Sequence, residues 1–79
     1  MKALPGFRLL VRFRDGLEGE VDMDREIHGP NAGVFATLAD PEHFSQAHVA
    51  FGAVTWPGDI DLAPDAMHAE IKASGRWVL

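Results

Sequence analysis

Four histidines, His28, His43, His48 and His68, and the carboxylates Asp22, Asp24, Asp59, Asp61 and Asp65 are the side chains whose types suit metal ligation or acid–base chemistry. Their spacing fits neither. His43 and His48 bracket the passage from a predicted helix into a predicted strand, so they share no helix face, and no glutamate stands between them as it does in a zinc hydrolase helix. A calcium loop opening at Asp59 would need an oxygen ligand where Ala63 stands and a glycine where Pro64 stands. Ser45 and Ser74 lack a glycine-flanked nucleophile elbow, and Gly29, Gly33 and Gly58 are not followed by the lysine and hydroxyl residue of a phosphate loop. The chain has no cysteine, which removes thiolate chemistry and disulfides and makes a reducing cytoplasm the expected compartment. We expect no catalytic residue, no cofactor and no metal. The rival from this inventory is a small ligand-binding protein or minimal enzyme that uses His28 and the Asp59 to Asp61 loop in a cleft.

The elements that would position such residues belong to a small chain. Its 79 residues, 47% hydrophobic and 24% charged, predict one folded domain, 1–79, with a small core. A net charge of -5 with scattered basic residues argues against nucleic acid as a partner. No apolar run is long enough to span a membrane, and the stretch from Met1 to Gly6 is too short for a signal peptide.

Register is legible in the first hairpin. Phe7, Leu9, Val11 and Phe13 share one face, and Leu17, Gly19, Val21 and Met23 share one face after the turn. Residues directly opposite must lie on the same side of a sheet, so a two-residue turn at Asp15-Gly16 fails because it sets Phe13 against Glu18. A three-residue loop, Arg14-Asp15-Gly16, sets Phe13 against Leu17, Val11 against Gly19 and Leu9 against Val21. It also places Arg12 opposite Glu18 and Arg8 opposite Asp22, pairs that select register more than they stabilise.

Beyond the hairpin, Asp24 to Gly33 reads as a loop. Phe35 and Leu38 form a short apolar turn, and Asp40 with Pro41 caps and starts a helix of about two turns. A second hairpin pairs Ala50 with Ala53 across a turn near Phe51-Gly52, with Ala47, Val49, Val54 and Trp56 on one face and His48 opposite Thr55. Pro57 ends that strand, and Asp61 is placed to cap the turn before Pro64. A C-terminal helix from Pro64 carries Ala63, Met67 and Ile71 as a core stripe and ends at Gly75. Trp77, Val78 and Leu79 are apolar for a tail and either pack on the sheet or join an interface.

The run Phe13-Arg14-Asp15-Gly16-Leu17-Glu18-Gly19-Glu20-Val21-Asp22-Met23, followed by Phe35, Leu38, Asp40, Phe44 and Val49 and then by Trp56-Pro57 and Asp61-Leu62, resembles an uncharacterised bacterial family, domain of unknown function 2442. The likeness runs from Leu4 to Met67. It implies an α+β fold, two antiparallel β-hairpins with short helices, of the kind called NE0471 N-terminal domain-like, and no established activity. Members are small bacterial and phage proteins, often encoded beside another small protein, which underlies toxin–antitoxin-like readings. This chain departs in two places: Asp59 stands where the family usually has glycine, and His68 where an aromatic usually follows Met67.

The expected role is a non-catalytic protein-interaction module, the acidic partner of a more basic protein in a toxin–antitoxin-like pair. The expected partner-binding residues are Glu18, Glu20 and Asp22 as a negative strip, Trp56, which ends its strand as a core lid or an aromatic anchor, and Trp77, Val78 and Leu79 in the tail. Self-association as a structural homodimer through sheet edges is a further alternative.

Overall fold

The computed structural model describes residues 1–50 and 52–79. Strands β1 (Lys2–Leu4), β2 (Arg8–Arg12) and β3 (Glu18–Asp22) are antiparallel neighbours. The β2–β3 register is the expected one, with Leu9 opposite Val21, Val11 opposite Gly19 and Arg12 opposite Glu18. The three-residue loop closes with Phe13 N donating to Leu17 O at 2.8 Å, and Gly16 takes a φ of 91°, which a residue with a Cβ adopts only with strain. Strand β1, which the sequence pattern did not mark, adds to the other side of β2 with Lys2 opposite Leu10.

The stretch expected to be loop after β3 contains one helical turn, α1 (Asp24–Ile27). Met23 and Ile27, four apart, are both buried there, and Ile27 N donates to Met23 O at 2.9 Å. A 3-10 helix over Gly33–Ala39 then buries Leu38. In α2 (Pro41–Phe44) the Asp40 carboxylate accepts from Glu42 N at 3.0 Å, as its capping position predicts. The helix is one turn and not two, because Ala47 N bonds back to Phe44 O and turns the chain into the next strand.

Strands β4 (His48–Ala50), β5 (Ala53–Trp56) and β6 (Ile60–Asp61) form a second antiparallel sheet. Ala50 pairs with Ala53 and His48 with Thr55 as expected; the Phe51 half of the expected turn lies outside the described residues. Val54 and Trp56 are buried, but Val49 is 59% exposed because β4 is the sheet's edge. Pro57 ends β5, yet the chain folds straight back to put Ile60 opposite Trp56. Asp61 therefore sits in β6 and caps nothing; the residue before α3 (Pro64–Ser74) is Ala63, with no side-chain cap. Asp59 occupies that tight return with a φ of 61°, a left-handed conformation glycine adopts freely.

Met67 and Ile71 are the buried stripe of α3, joined by Leu62, whereas Ala63 is exposed. Gly75 ends the helix with a φ of 80° and donates to Ile71 O at 2.7 Å. The tail then forms β7 (Arg76–Val78), which lies parallel to β3 with Val21 opposite Trp77. The first sheet is thus four-stranded in the order β1-β2-β3-β7, its parallel pair linked by a crossover that includes the second sheet and α3. Gly19 admits this geometry: a Cβ there would fall 2.5 Å from Ile71 Cγ2 and 2.6 Å from Gly75 O. The core lies between the sheets, from Leu9 and Val21 to Trp56 and Ile71.

Candidate functional site

The acidic strip is largely spent inside the fold. Glu20 accepts from Arg8 Nη1 at 2.6 Å, and Asp22 accepts from Arg76 Nη2 at 3.1 Å. Arg8 and Asp22 are opposite in register, as expected, but β7 supplies Asp22 with a nearer cation, and Arg8 reaches the diagonal glutamate instead. Only Glu18 of the three lacks an ion pair among the described residues. Trp56 is 1% exposed and its Nε1 donates to Phe44 O at 2.9 Å, so it is a core residue and not a surface anchor. Trp77 and Leu79 are half-buried against the core, and Leu79 N donates to Asp22 O at 3.0 Å, which leaves Val78, 43% exposed, as the tail residue turned outward.

The cleft expected between His28 and the Asp59 to Asp61 loop is not assembled. His28 sits at the end of α1, its Nδ1 2.8 Å from Asp24 O and its ring edge-on to Phe7. Asp59 and Asp61 line a separate groove with Ala50, Ala53, Thr55 and Pro64. His43 lies between two carbonyls, Nδ1 at 3.3 Å from Thr37 O and Nε2 at 2.9 Å from Pro57 O, and ties the 3-10 helix to the β5–β6 turn. His68 faces Phe13 edge-on at 4.8 Å, and its Nε2 meets Asp15 Oδ2 at 2.9 Å. That contact first, and the Leu17 amide second, hold the Asp15 carboxyl below its ordinary value. Among the described residues no three metal-ligating side chains converge.

The residues that do converge lie among the end of β2, the second hairpin and the start of α3. A cavity of about 350 Å³ is walled by Val11, Phe13, Val49, Val54 and Met67, with Met1, Pro64 and Gly52 around it and Arg12 and Arg14 as its charged members. Neither arginine forms an ion pair among the described residues.

Ladder phase shows what else faces this gap. Phe13 turns both backbone groups toward the loop side, its N–H donating to Leu17 O and its C=O accepting from Gly16 N, so by the alternation of an antiparallel pair Val11 and Leu9 also bond toward β3, while Arg12, Leu10 and Arg8 direct their N–H and C=O groups the other way. Lys2 and Leu4 of β1 meet Leu10 and Arg8. On the far wall Leu62 N donates to Val54 O at 3.0 Å, so Val54 of β5 turns its backbone groups to the side on which β6 pairs. Val49, opposite Val54, therefore turns its own groups to the other side of β4, an edge that no strand pairs among the described residues. Sequence reasoning missed this cavity because it joins β2, the second hairpin and the start of α3, which stand far apart in the chain.

No curated protein and no solved structure gives a significant match to the chain. The model of the family described as "protein of unknown function (DUF2442)" matches residues 1–73 of the 79, and the chain belongs to that family.

Proposed function

We propose that the protein is a non-catalytic protein-interaction module whose partner is a separately encoded protein, as in a toxin–antitoxin-like pair. The observation that supports this reading is the face of the four-stranded sheet turned away from the core. Lys2, Leu4, Arg8, Leu10, Arg12, Glu18, Glu20, Asp22, Arg76 and Val78 share it by parity, and none of them is buried. Leu10 and Val78 are 39% and 43% exposed, two apolar residues set among the charged rows of this face. The ion pairs within the rows set orientation, while Leu10 and Val78 supply the area that a partner would cover.

The test is capture of partners by the tagged full chain from its native lysate, with Leu10→Asp as the control variant. A stoichiometric partner retained by the parent and lost by the variant, at unchanged thermal stability, is the expected outcome. Recovery of no partner would overturn the reading.

A further inference from the structure

We infer that the Asp15-Gly16 step is a modification site, the place where this chain forms isoaspartate, and that the contact from His68 on α3 keeps it closed while the protein is folded. The inference goes beyond the interaction reading and needs no partner. Asp15-Gly16 is the one Asp-Gly step in the sequence. Both residues are exposed, and a Cβ at Gly16 would meet no described atom within 4 Å outside its chain neighbours, so packing does not bar access to the bond. Glycine also has no side chain to obstruct its own nitrogen. The chemistry is self-contained. With the Asp15 carboxyl protonated, the Gly16 amide nitrogen attacks Asp15 Cγ; the N–Cγ bond forms, the amide proton leaves with the carboxyl hydroxyl as water, and a succinimide ring results. Water then adds at one of the two ring carbonyls. Opening at Cγ restores aspartate, whereas opening at the Asp15 backbone carbonyl routes the main chain through the former side chain, one methylene longer, and leaves a carboxylate on Cα. No oxidant, reductant or cofactor enters.

The folded loop holds the two reactants away from each other. Asp15 Oδ1 accepts from Leu17 N at 3.0 Å and Oδ2 lies 2.9 Å from His68 Nε2, so both carboxyl oxygens are engaged elsewhere than at Gly16. Gly16 N itself donates to Phe13 O at 3.0 Å, a bond that must break before the nitrogen can turn on Cγ. The bonds to Leu17 and Phe13 belong to the hairpin, and a short segment alone could form them. The contact with His68 comes from another element, and the imidazole is braced for it by its edge-on packing against Phe13 at 4.8 Å. His68 is thus a positioning residue. It is also the larger cause, ahead of the Leu17 amide, of the lowered proton affinity of Asp15, which keeps the group in the carboxylate form that does not expel its oxygen.

The test follows isoaspartate in the folded full chain held for weeks at body temperature and mildly acidic pH, read by chromatography of the loop peptide and by electron-transfer fragmentation, which tells the isobaric forms apart. The blocked peptide Phe-Arg-Asp-Gly-Leu, which has no α3 to restrain it, is expected to isomerise faster than the folded chain. His68→Ala is expected to react about fivefold faster than the parent, the scale of one lost hydrogen bond. His68→Gln puts an amide donor in the place of Nε2 and brings the rate back toward the parent's. Trp77→Ala, which loosens the core without touching the loop, separates this restraint from global unfolding, and below its melting temperature it reacts at the parent's rate. A parent as fast as the peptide, an unchanged or slower rate in His68→Ala, no rescue by His68→Gln, or an equal acceleration by Trp77→Ala would each overturn the inference.

Discussion

Asp15 shows how one side chain can serve two elements. It sits in the hairpin loop, where its Oδ1 accepts from Leu17 N at 3.0 Å and fixes the turn, and its Oδ2 reaches His68 on α3 at 2.9 Å. The turn role was legible, since aspartate before glycine in a loop bonds its own backbone two residues on. The contact with His68 was not, because it joins residues 53 apart. The carboxyl is held below its ordinary 3.8, so this group binds its proton more weakly in the folded chain than in the unfolded one. Its contribution to stability is therefore present above the ordinary carboxylate value and is lost as the pH falls through the lowered one. In His68→Ala the larger cause of the depression is gone, and a carboxyl titration followed by NMR should show Asp15 moving up toward 3.8. The acid-side decline in stability should become shallower in the same variant. An Asp15 titration unchanged by the substitution would mean that the Leu17 amide alone sets it.

At the scale of elements, what could be read were periods and caps, and what could not were strands with no pattern of their own. The β2–β3 register followed from parity alone, and Asp40, Pro64 and Gly75 mark helix ends where the structure has them. β1, β6 and β7 have three, two and three residues, too few for an alternation to stand out, and each forms because a neighbour offers free rungs. Gly19 is the clearest case of a residue whose meaning lies in tertiary contact. In sequence it is a weak spot in a strand; in the fold it is the place where Ile71 and the Gly75 carbonyl come against β3. Gly19→Ala must push α3 outward against backbone that cannot yield cheaply, and is expected to destabilise by about 1–3 kcal/mol, the range for an overpacked core. Denaturant unfolding measures it, with Gly52→Ala as a contrast: a Cβ there meets no atom within 4 Å, and its cost comes only from the φ of 79°. Equal losses in the two variants would show that the close approach of α3 is not what Gly19 provides.

For the whole molecule, the tail decides whether the first sheet is closed on the β3 side. The family match ends at residue 73, yet β7 begins at Arg76 and supplies Trp77 to the core, the Arg76–Asp22 ion pair, and bonds from Glu20 N to Gly75 O at 3.3 Å and from Leu79 N to Asp22 O at 3.0 Å. A chain of this size has a stability of only several kcal/mol, so one partly buried tryptophan is a large share of it. Trp77→Ala removes apolar area over Val21 and is expected to cost about 2 kcal/mol, below the range for a fully buried aromatic because the ring is only half covered. A chain ending at Ser74 loses more: the rungs of β3 at Glu20 and Asp22 become an open edge beside a thinned core. That shorter chain is expected to melt at least 10 °C lower and to show concentration-dependent association by light scattering, since about 1 kcal/mol moves the melting point of a domain this small by roughly 4–8 °C. If it instead melts with the parent and stays monodisperse, β7 is an ornament on a sheet that β1, β2 and β3 already complete.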